Sequence, residues 1–278
     1  FPAFINDDNV RSARNQTIII TVIHNTRLMI VLRLVIASIL ITSGQPLSTL
    51  SLATVCRESP ISRVLDDYTF ADSFPYTERD LTPEWAGNDG AFYFLPKFVH
   101  HAGPVCRAKL TSFYSLLLPP ASTGSTLDLC SSFTSHYPSG YKAANSVALG
   151  LNALELLVNP SKTTFTVRDL NENPTLPYSS STFDVVTNSL SVDYLTNPLP
   201  VFTEIHRVLK PGGKGAMAFT NRCFPTKVVP AWTRPFTEEN HAIIVANYFH
   251  FSAEWESIEV FDASPDGWEG QRDPMVIV

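Results

Sequence analysis

Between Thr126 and Phe219 short apolar runs and amphipathic stripes take turns, and that order constrains the fold more than any other feature. TLDL (126–129), SVALGL (146–151), TFTV (164–167), FDVVTNS (183–189) and GAMAF (215–219) are short and apolar or β-branched, the composition of strands. ALELLV follows the second run with helical spacing. In PLPVFTEIHRVL (198–209), Val201, Phe202, Ile205, Val208 and Leu209 share one helical face. Strands alternating with helices imply right-handed crossovers and a parallel sheet covered on both faces. The glycines of KPGG are expected to stop the 198–209 helix just past its last turn.

Upstream, Val105, Leu110, Phe113, Leu116 and Leu117 form a stripe that predicts a helix from Pro104 to Leu118, ended by Pro119-Pro120. Downstream, a helix is expected over Glu238 to Phe249. SIEVFDA (257–263) and PMVIV (274–278) then read as two strands joined by a loop alone, a connection that suits antiparallel pairing.

The N-terminal region reads differently. Met29 opens a stretch with Arg33 early, an apolar run from Leu34 to Ile41, and small polar residues after it. The pattern is that of a signal or transit peptide, and the run is shorter than the ~20 residues a helix needs to span a bilayer. Residues 1–28 are set aside from the fold. Residues 1–60 are expected to be a targeting and linker segment, disordered or helical. Residues 61–278 are expected to be one domain, with a helical lid over 61–120 and the sheet core over 121–278. The destination expected is a plastid or the endomembrane system, with cytoplasmic residence otherwise. Any membrane association is expected through this segment only.

A formal charge of -6 with no basic run gives no electrostatic footprint for nucleic acid, so a small-molecule substrate is the expected partner; the oligomeric state stays open. Cys56, Cys106, Cys130 and Cys223 form no C-x-x-C pair and have no histidine cluster beside them, so no metal site is expected.

Ligands in open α/β sheets bind beyond the carboxyl ends of the strands. Four such loops carry polar residues. Asp128 to His136 follows TLDL with no glycine, and Ser131 and Ser132 are its small polar substitutes. Asn152 follows SVALGL where a carboxylate would accept from a ribose diol; Glu155 lies one helical turn on. Asp169, followed by Leu170, stands after TFTV as an acceptor for an adenine amino group, or as a helix cap. Asn188, Ser189 and Asp193 follow FDVV, where substrate would meet cofactor. His136 and Asp193 are the candidate bases, although His136 reads equally as an ordinary loop histidine.

The segment LPYSSSTFDVVTNSLSVDYLTNPLPVFTEIHRVLKPGG (176–213) resembles a conserved block of the class I S-adenosylmethionine-dependent methyltransferases. The resemblance covers roughly residues 90–278. It implies a Rossmann-like seven-stranded, mostly parallel sheet with an antiparallel last strand and helices on both faces. It is nearest to a subgroup with a D-L-x-S-S-x-x-S-H-x-P loop and with NRCFPTK after the fifth strand. The cofactor implied is S-adenosyl-L-methionine. By position, Asp128, Cys130, Ser131 and Ser132 fall at its methionine end, Asn152 at the ribose, Asp169 and Leu170 at the adenine, and Asn188 and Ser189 at the junction with substrate. The family's D-x-G-x-G-x-G is here D-L-C-S-S-F-T, and its ribose acid is an amide. The function implied is methyl transfer to an unknown small molecule. Phe92, Tyr93 and Phe94 would form an aromatic lid. The alternative is a scaffold of the same fold that has lost the cofactor; an oxidoreductase using a dinucleotide is disfavoured because its glycine fingerprint is missing.

Overall fold

A computed structural model describes residues 50–267 and 273–278. The apolar run 34–41 and the rest of the proposed targeting peptide lie outside the described residues.

Seven strands form one sheet: β1 (Ser125–Leu129), β2 (Asn145–Gly150), β3 (Thr164–Val167), β4 (Phe183–Ser189), β5 (Leu209–Phe219), β6 (Phe261–Asp262) and β7 (Val276–Ile277). Their order is β3-β2-β1-β4-β5-β7-β6. The first five run parallel, and β7 pairs antiparallel with both β5 and β6. The sheet is therefore the mostly parallel, Rossmann-like one expected, with the antiparallel strand last in the chain and inserted between β5 and β6. Its last two strands are much shorter than the apolar runs that announce them. Pro274 has no N–H to give a ladder, and β6 finds only two partners in β7. The outer side of β6 is met by the chain before it: Arg57 N donates to Asp262 O at 2.9 Å, and Arg57 Nε to Asp262 Oδ2 at 2.7 Å. Residues 50–60, read as linker from sequence, thus touch the sheet edge, and Val55 and Ser59 are buried.

Seven helices are described. They are α1 (Leu52–Val55), α2 (Glu78–Leu81), α3 (Asp89–Phe92), α4 (Pro104–Leu117), α5 (Ala153–Val158), α6 (Pro198–Val208) and α7 (Glu238–His250), with 3-10 turns at Val192–Tyr194 and Pro230–Thr233. Helix α4 begins on Gly103 and Pro104, whose fixed φ suits a first helical position, and gives way at Leu118 to the two prolines. Its Leu110, Phe113 and Tyr114 pack with Ala216, Ala218 and Ile277 on one sheet face. Phe202 and Ile205 of α6 and Tyr248 of α7 belong to the larger cluster with Val186 and Met217.

KPGG does not serve as expected. Helix α6 ends at an extended Leu209, whose N–H reaches Ile205 O, before the first glycine. The pairing of β4 with β5 then jumps from Phe183–Leu209 to Val185–Lys214. Gly212, at φ 74°, turns the bulge that takes up the extra residues.

Candidate functional site

A cavity of about 820 Å³ opens beyond the carboxyl ends of the parallel strands. Asp128, Cys130, Ser131, Ser132, His136, Asn152, Asp169, Leu170 and Ser189 line it. Asn188 and Asp193 do not: both are buried beneath the rim, at 1% and 3% exposure, and Asn188 Oδ1 and Asp193 Oδ2 lack hydrogen-bond partners. Asp193 therefore cannot reach a molecule in the cavity without rearrangement. Burial, opposed only by its own backbone N–H and Tyr194, pushes its carboxyl up to about 7.

The glycine-free loop keeps a glycine's backbone at its first position. Cys130 sits at φ 50°, His136 farther along at φ 57°, and Leu190 after β4 at φ 60°. Left-handed backbone is costly for such residues, and three of them line this one cavity. The close approach that a loop glycine would allow is provided from the opposite strand. A Cβ on Gly150 would lie 2.1 Å from Ser131 O, so only glycine lets β2 carry the loop this near.

The two serines hold the loop rather than offering free hydroxyls. Ser131 Oγ donates to Asp128 Oδ2 (2.6 Å) and accepts from Asn159 Nδ2 (3.2 Å). Ser132 Oγ donates to Glu155 Oε2 at 2.5 Å. Asp128 also accepts from Thr187 Oγ1 (2.8 Å), the residue opposite it in register on β4. Burial raises the Asp128 carboxyl to about 6, with Ser131, Ser135 and Thr187 pulling the other way. Burial lifts the Cys130 thiol to about 12, with the Asp128 charge adding to it, so this sulfur stays protonated.

Asn152 is fully engaged. Its Oδ1 accepts from Leu154 N (3.0 Å) and Glu155 N (3.2 Å), capping α5, and its Nδ2 donates to Tyr93 O (3.0 Å) and Phe94 O (3.1 Å). A carbonyl oxygen has two lone pairs, so this amide has none left for a ribose diol. Glu155, in the cavity wall one turn on, carries the nearest carboxylate; Lys97 N donates to its Oε1 at 2.6 Å. Asp169 Oδ1 accepts from Asn171 N (2.9 Å) and Glu172 N (3.4 Å), the capping geometry weighed as the alternative. Its other oxygen stays outside those two bonds. Burial raises this carboxyl, with backbone N–H donors opposing.

Histidine 136 lines the cavity with its neighbours His100 and His101. Burial, then the nearby His100, Arg107 and His101, push its imidazole down to about 4. It is neutral near pH 7, an acceptor but a weak base.

A roof closes one side. Tyr93 lines the cavity, while Phe94 points out at 77% exposure. Asp89 also lines it and is held from below: Lys227 Nζ donates to Asp89 Oδ1, and Asn171 Nδ2 donates to Asp89 Oδ2 at 2.8 Å. Lys227 is 2% exposed and lies 4.7 Å from the Trp85 ring centroid. Sequence reasoning missed Asp89, Lys97, Asn171 and Arg222 among the lining residues. No periodicity marks residues 61–101, and the only signal was the NRCFPTK run, whose Arg222 lines the cavity and whose Lys227 anchors the roof.

Residues 143–217 match the family described as "Methyltransferase domain". No curated protein matches the sequence. Among solved structures, the chain is similar to an S-adenosylmethionine dependent methyltransferase from Mesorhizobium loti at 21% identity and a TM-score of 0.32, over 39% of this chain and 52% of that one. It thus spans about half the length of that protein. It is also similar to geranyl diphosphate C-methyltransferase from Streptomyces coelicolor A3(2), solved with Mg2+, geranyl diphosphate and S-adenosyl-L-homocysteine, at 12% identity and a TM-score of 0.43, over 68% and 94%. The [4+2]-cyclase SpnF is similar at 14% identity and a TM-score of 0.44, over 68% and 89%. None of these likenesses carries a substrate or a reaction to this chain.

Proposed function

We propose that the chain, whose residues 143–217 match the methyltransferase-domain family, is a class I S-adenosylmethionine-dependent methyltransferase that methylates a small molecule held in the outer part of the strand-end cavity. The observation that carries the reading is the cavity itself: about 820 Å³, at the topological position where such sheets take ligands, with carboxylates spaced around its wall. The cofactor supplies an electrophilic methyl on a sulfonium. The residues present fit it with one exchange. Asp169 offers an acceptor at the adenine end, and the Asp128–Ser132 loop borders the methionine end. Glu155 takes the diol in place of Asn152, whose amide is already satisfied. Rearranging the Ser132 hydroxyl from Glu155 to solvent or ligand frees that carboxylate oxygen.

The acceptor sits toward His100, His136, Phe133 and Phe224, a mostly aromatic wall. Its nucleophile is aligned by this wall, and alignment alone is worth ~7–11 kcal/mol of barrier. His136 takes a proton only from a nucleophile that is itself acidic, because its imidazole binds protons weakly.

Calorimetry with S-adenosylhomocysteine tests the reading. Wild type is expected to bind, Glu155→Gln and Asp169→Ala to bind at least ~10-fold more weakly, each having lost one charge-assisted bond. Absence of heat in the wild type would leave a scaffold of this fold without the cofactor.

A further inference from the structure

The acids and the bases of the cavity wall differ in what they have left to give. Asp89 is met on both carboxylate oxygens by Lys227 and Asn171, Asp128 by Thr187 and Ser131, and Glu155 by Lys97 N and Ser132. Asp169 keeps one oxygen, at the adenine end. The basic side chains at the acceptor end are the reverse. His100, His101 and His136 line the cavity, and nothing among the described residues hydrogen-bonds their ring nitrogens. His136 bonds through its main chain alone. His241, buried elsewhere, is the contrast: its Nε2 meets Trp232 O at 2.7 Å.

Arg222 joins them in one corner. Its Nε donates to Asp273 Oδ1 at 2.6 Å, and Asp273 Oδ2 accepts from Gly103 N, just past His101, at 2.6 Å. The ring of Phe224, just past Arg222, lies 5.4 Å from that of His101. The His100 ring is 6.1 Å from that of His136 and 5.0 Å from that of Phe133. Asp273 also meets the start of the 14-residue α4, so that helix shares its charge and Arg222 is not cancelled outright. Held by Nε, the guanidinium turns out its two terminal nitrogens, which have no partner among the described residues. Side by side, they form the fork that fits a carboxylate with two hydrogen bonds. Burial lowers all three imidazoles, and Arg107 adds to this at His100 and His136, while Glu155 works the other way at His101. Each ring is neutral near pH 7 and offers one N–H without a charge. A guanidinium beside neutral donors matches a monoanion better than a doubly charged phosphate monoester. We propose that the methyl acceptor is a carboxylic acid with an apolar or aromatic body. The Arg222 fork and the imidazole N–H groups of His100 and His101 grip its carboxylate, and its body lies against Phe133 and Phe224. That this acid is the acceptor rests on the methyl-transfer reading; the carboxylate site does not.

Calorimetry of the full chain with benzoate, cinnamate and decanoate, each alone and with S-adenosylhomocysteine present, tests it. At least one acid is expected to bind, and its primary amide to bind ~10-fold more weakly or worse. Arg222→Gln should weaken the acid ~10-fold or more and leave affinity for S-adenosylhomocysteine unchanged. Arg222→Lys, which keeps the charge and loses the fork, should recover only part of that loss. His100→Phe, exposed and on a different segment, should cost ~3-fold or more through one lost donor, so a folding failure at Arg222 does not decide the matter. No binding by any of the acids overturns the proposal. So does an amide that binds as well as its acid, or phenyl phosphate that binds more tightly than benzoate. Arg222→Gln weakening S-adenosylhomocysteine as much as the acid also overturns it, because the fork would then hold the cofactor's own carboxylate. The two readings fail separately: heat with S-adenosylhomocysteine but with no acid sinks the carboxylate site alone, and heat with an acid but not with S-adenosylhomocysteine sinks methyl transfer alone.

Discussion

The wall and the roof of the cavity are held by different physics. The wall is main chain at strand ends, placed by the ladder of a buried sheet: Asp128 faces Thr187 because β1 and β4 run in register. The roof has no ladder. It hangs on a few polar contacts between residues far apart in sequence, chief among them Lys227 with Asp89 and Asn152 with Tyr93 and Phe94. A site built this way keeps its floor rigid and concentrates its sensitivity to mutation in a handful of side chains.

The sharpest way to break the comparison is Lys227→Met. Removing one partner of a buried pair leaves Asp89 charged and nearly enclosed, a loss of about 3–5 kcal/mol. The denaturant midpoint should fall accordingly, and Lys227→Met/Asp89→Asn should recover much of it. If the single variant unfolds at the wild-type midpoint, the roof is not pinned there.

Asp193 gives the next largest effect, and its sign depends on pH. The folded-state carboxyl sits near 7 against an unfolded value near 3.8, so the native state holds its proton more tightly. Asp193 therefore costs nothing below about pH 4, where both states are protonated. Its cost grows as pH rises through the interval and is complete above about pH 7. Asp193→Asn should leave stability unchanged at pH 4 and raise it at pH 8 by up to about 4 kcal/mol. Equal midpoint shifts at both pH values would show that burial is not what perturbs this group. Asp128, lifted to about 6 in the wall, follows the same sign with a smaller amplitude because hydroxyls satisfy it.

These contrasts also explain what the sequence made legible. Strand-end positions followed from period and composition, since a buried parallel strand announces itself and the loop after it has to lie at the rim. Asp128, Ser131, Asn152 and Asp169 were found in this way. What each side chain does there was not legible. Asn152 read as a ligand acceptor because no local pattern shows that its oxygen caps α5 while its nitrogen holds residues some sixty positions upstream. Asp193 read as a rim residue, yet the 3-10 turn after β4 carries it under the rim. Roof residues such as Asp89 and Lys97 had no periodicity to mark them, because hydrogen bonds and ring contacts specify an irregular segment and neither has a period. Glycine 150 was visible only as a strand residue; the approach of Ser131 that requires it is a tertiary fact.

The smallest predicted effect tests the joint between wall and roof. Asn152→Asp returns the carboxylate that the family resemblance expects at this position. An aspartate caps α5 as well as the amide does, so the helix start should hold. It cannot donate, however, and its second oxygen would face the carbonyls of Tyr93 and Phe94 where Nδ2 now binds them. Two hydrogen bonds become two repulsions, partly exposed to water, for a net loss of about 1 kcal/mol. Amide exchange should quicken over residues 93–97 and stay slow in β1 and β2. Affinity for S-adenosylhomocysteine should fall even though an acid has been restored, because the Lys97 N–H that meets Glu155 moves with the roof. A rise in affinity with unchanged exchange would mean that the roof is held elsewhere and that position 152, not Glu155, meets the ribose.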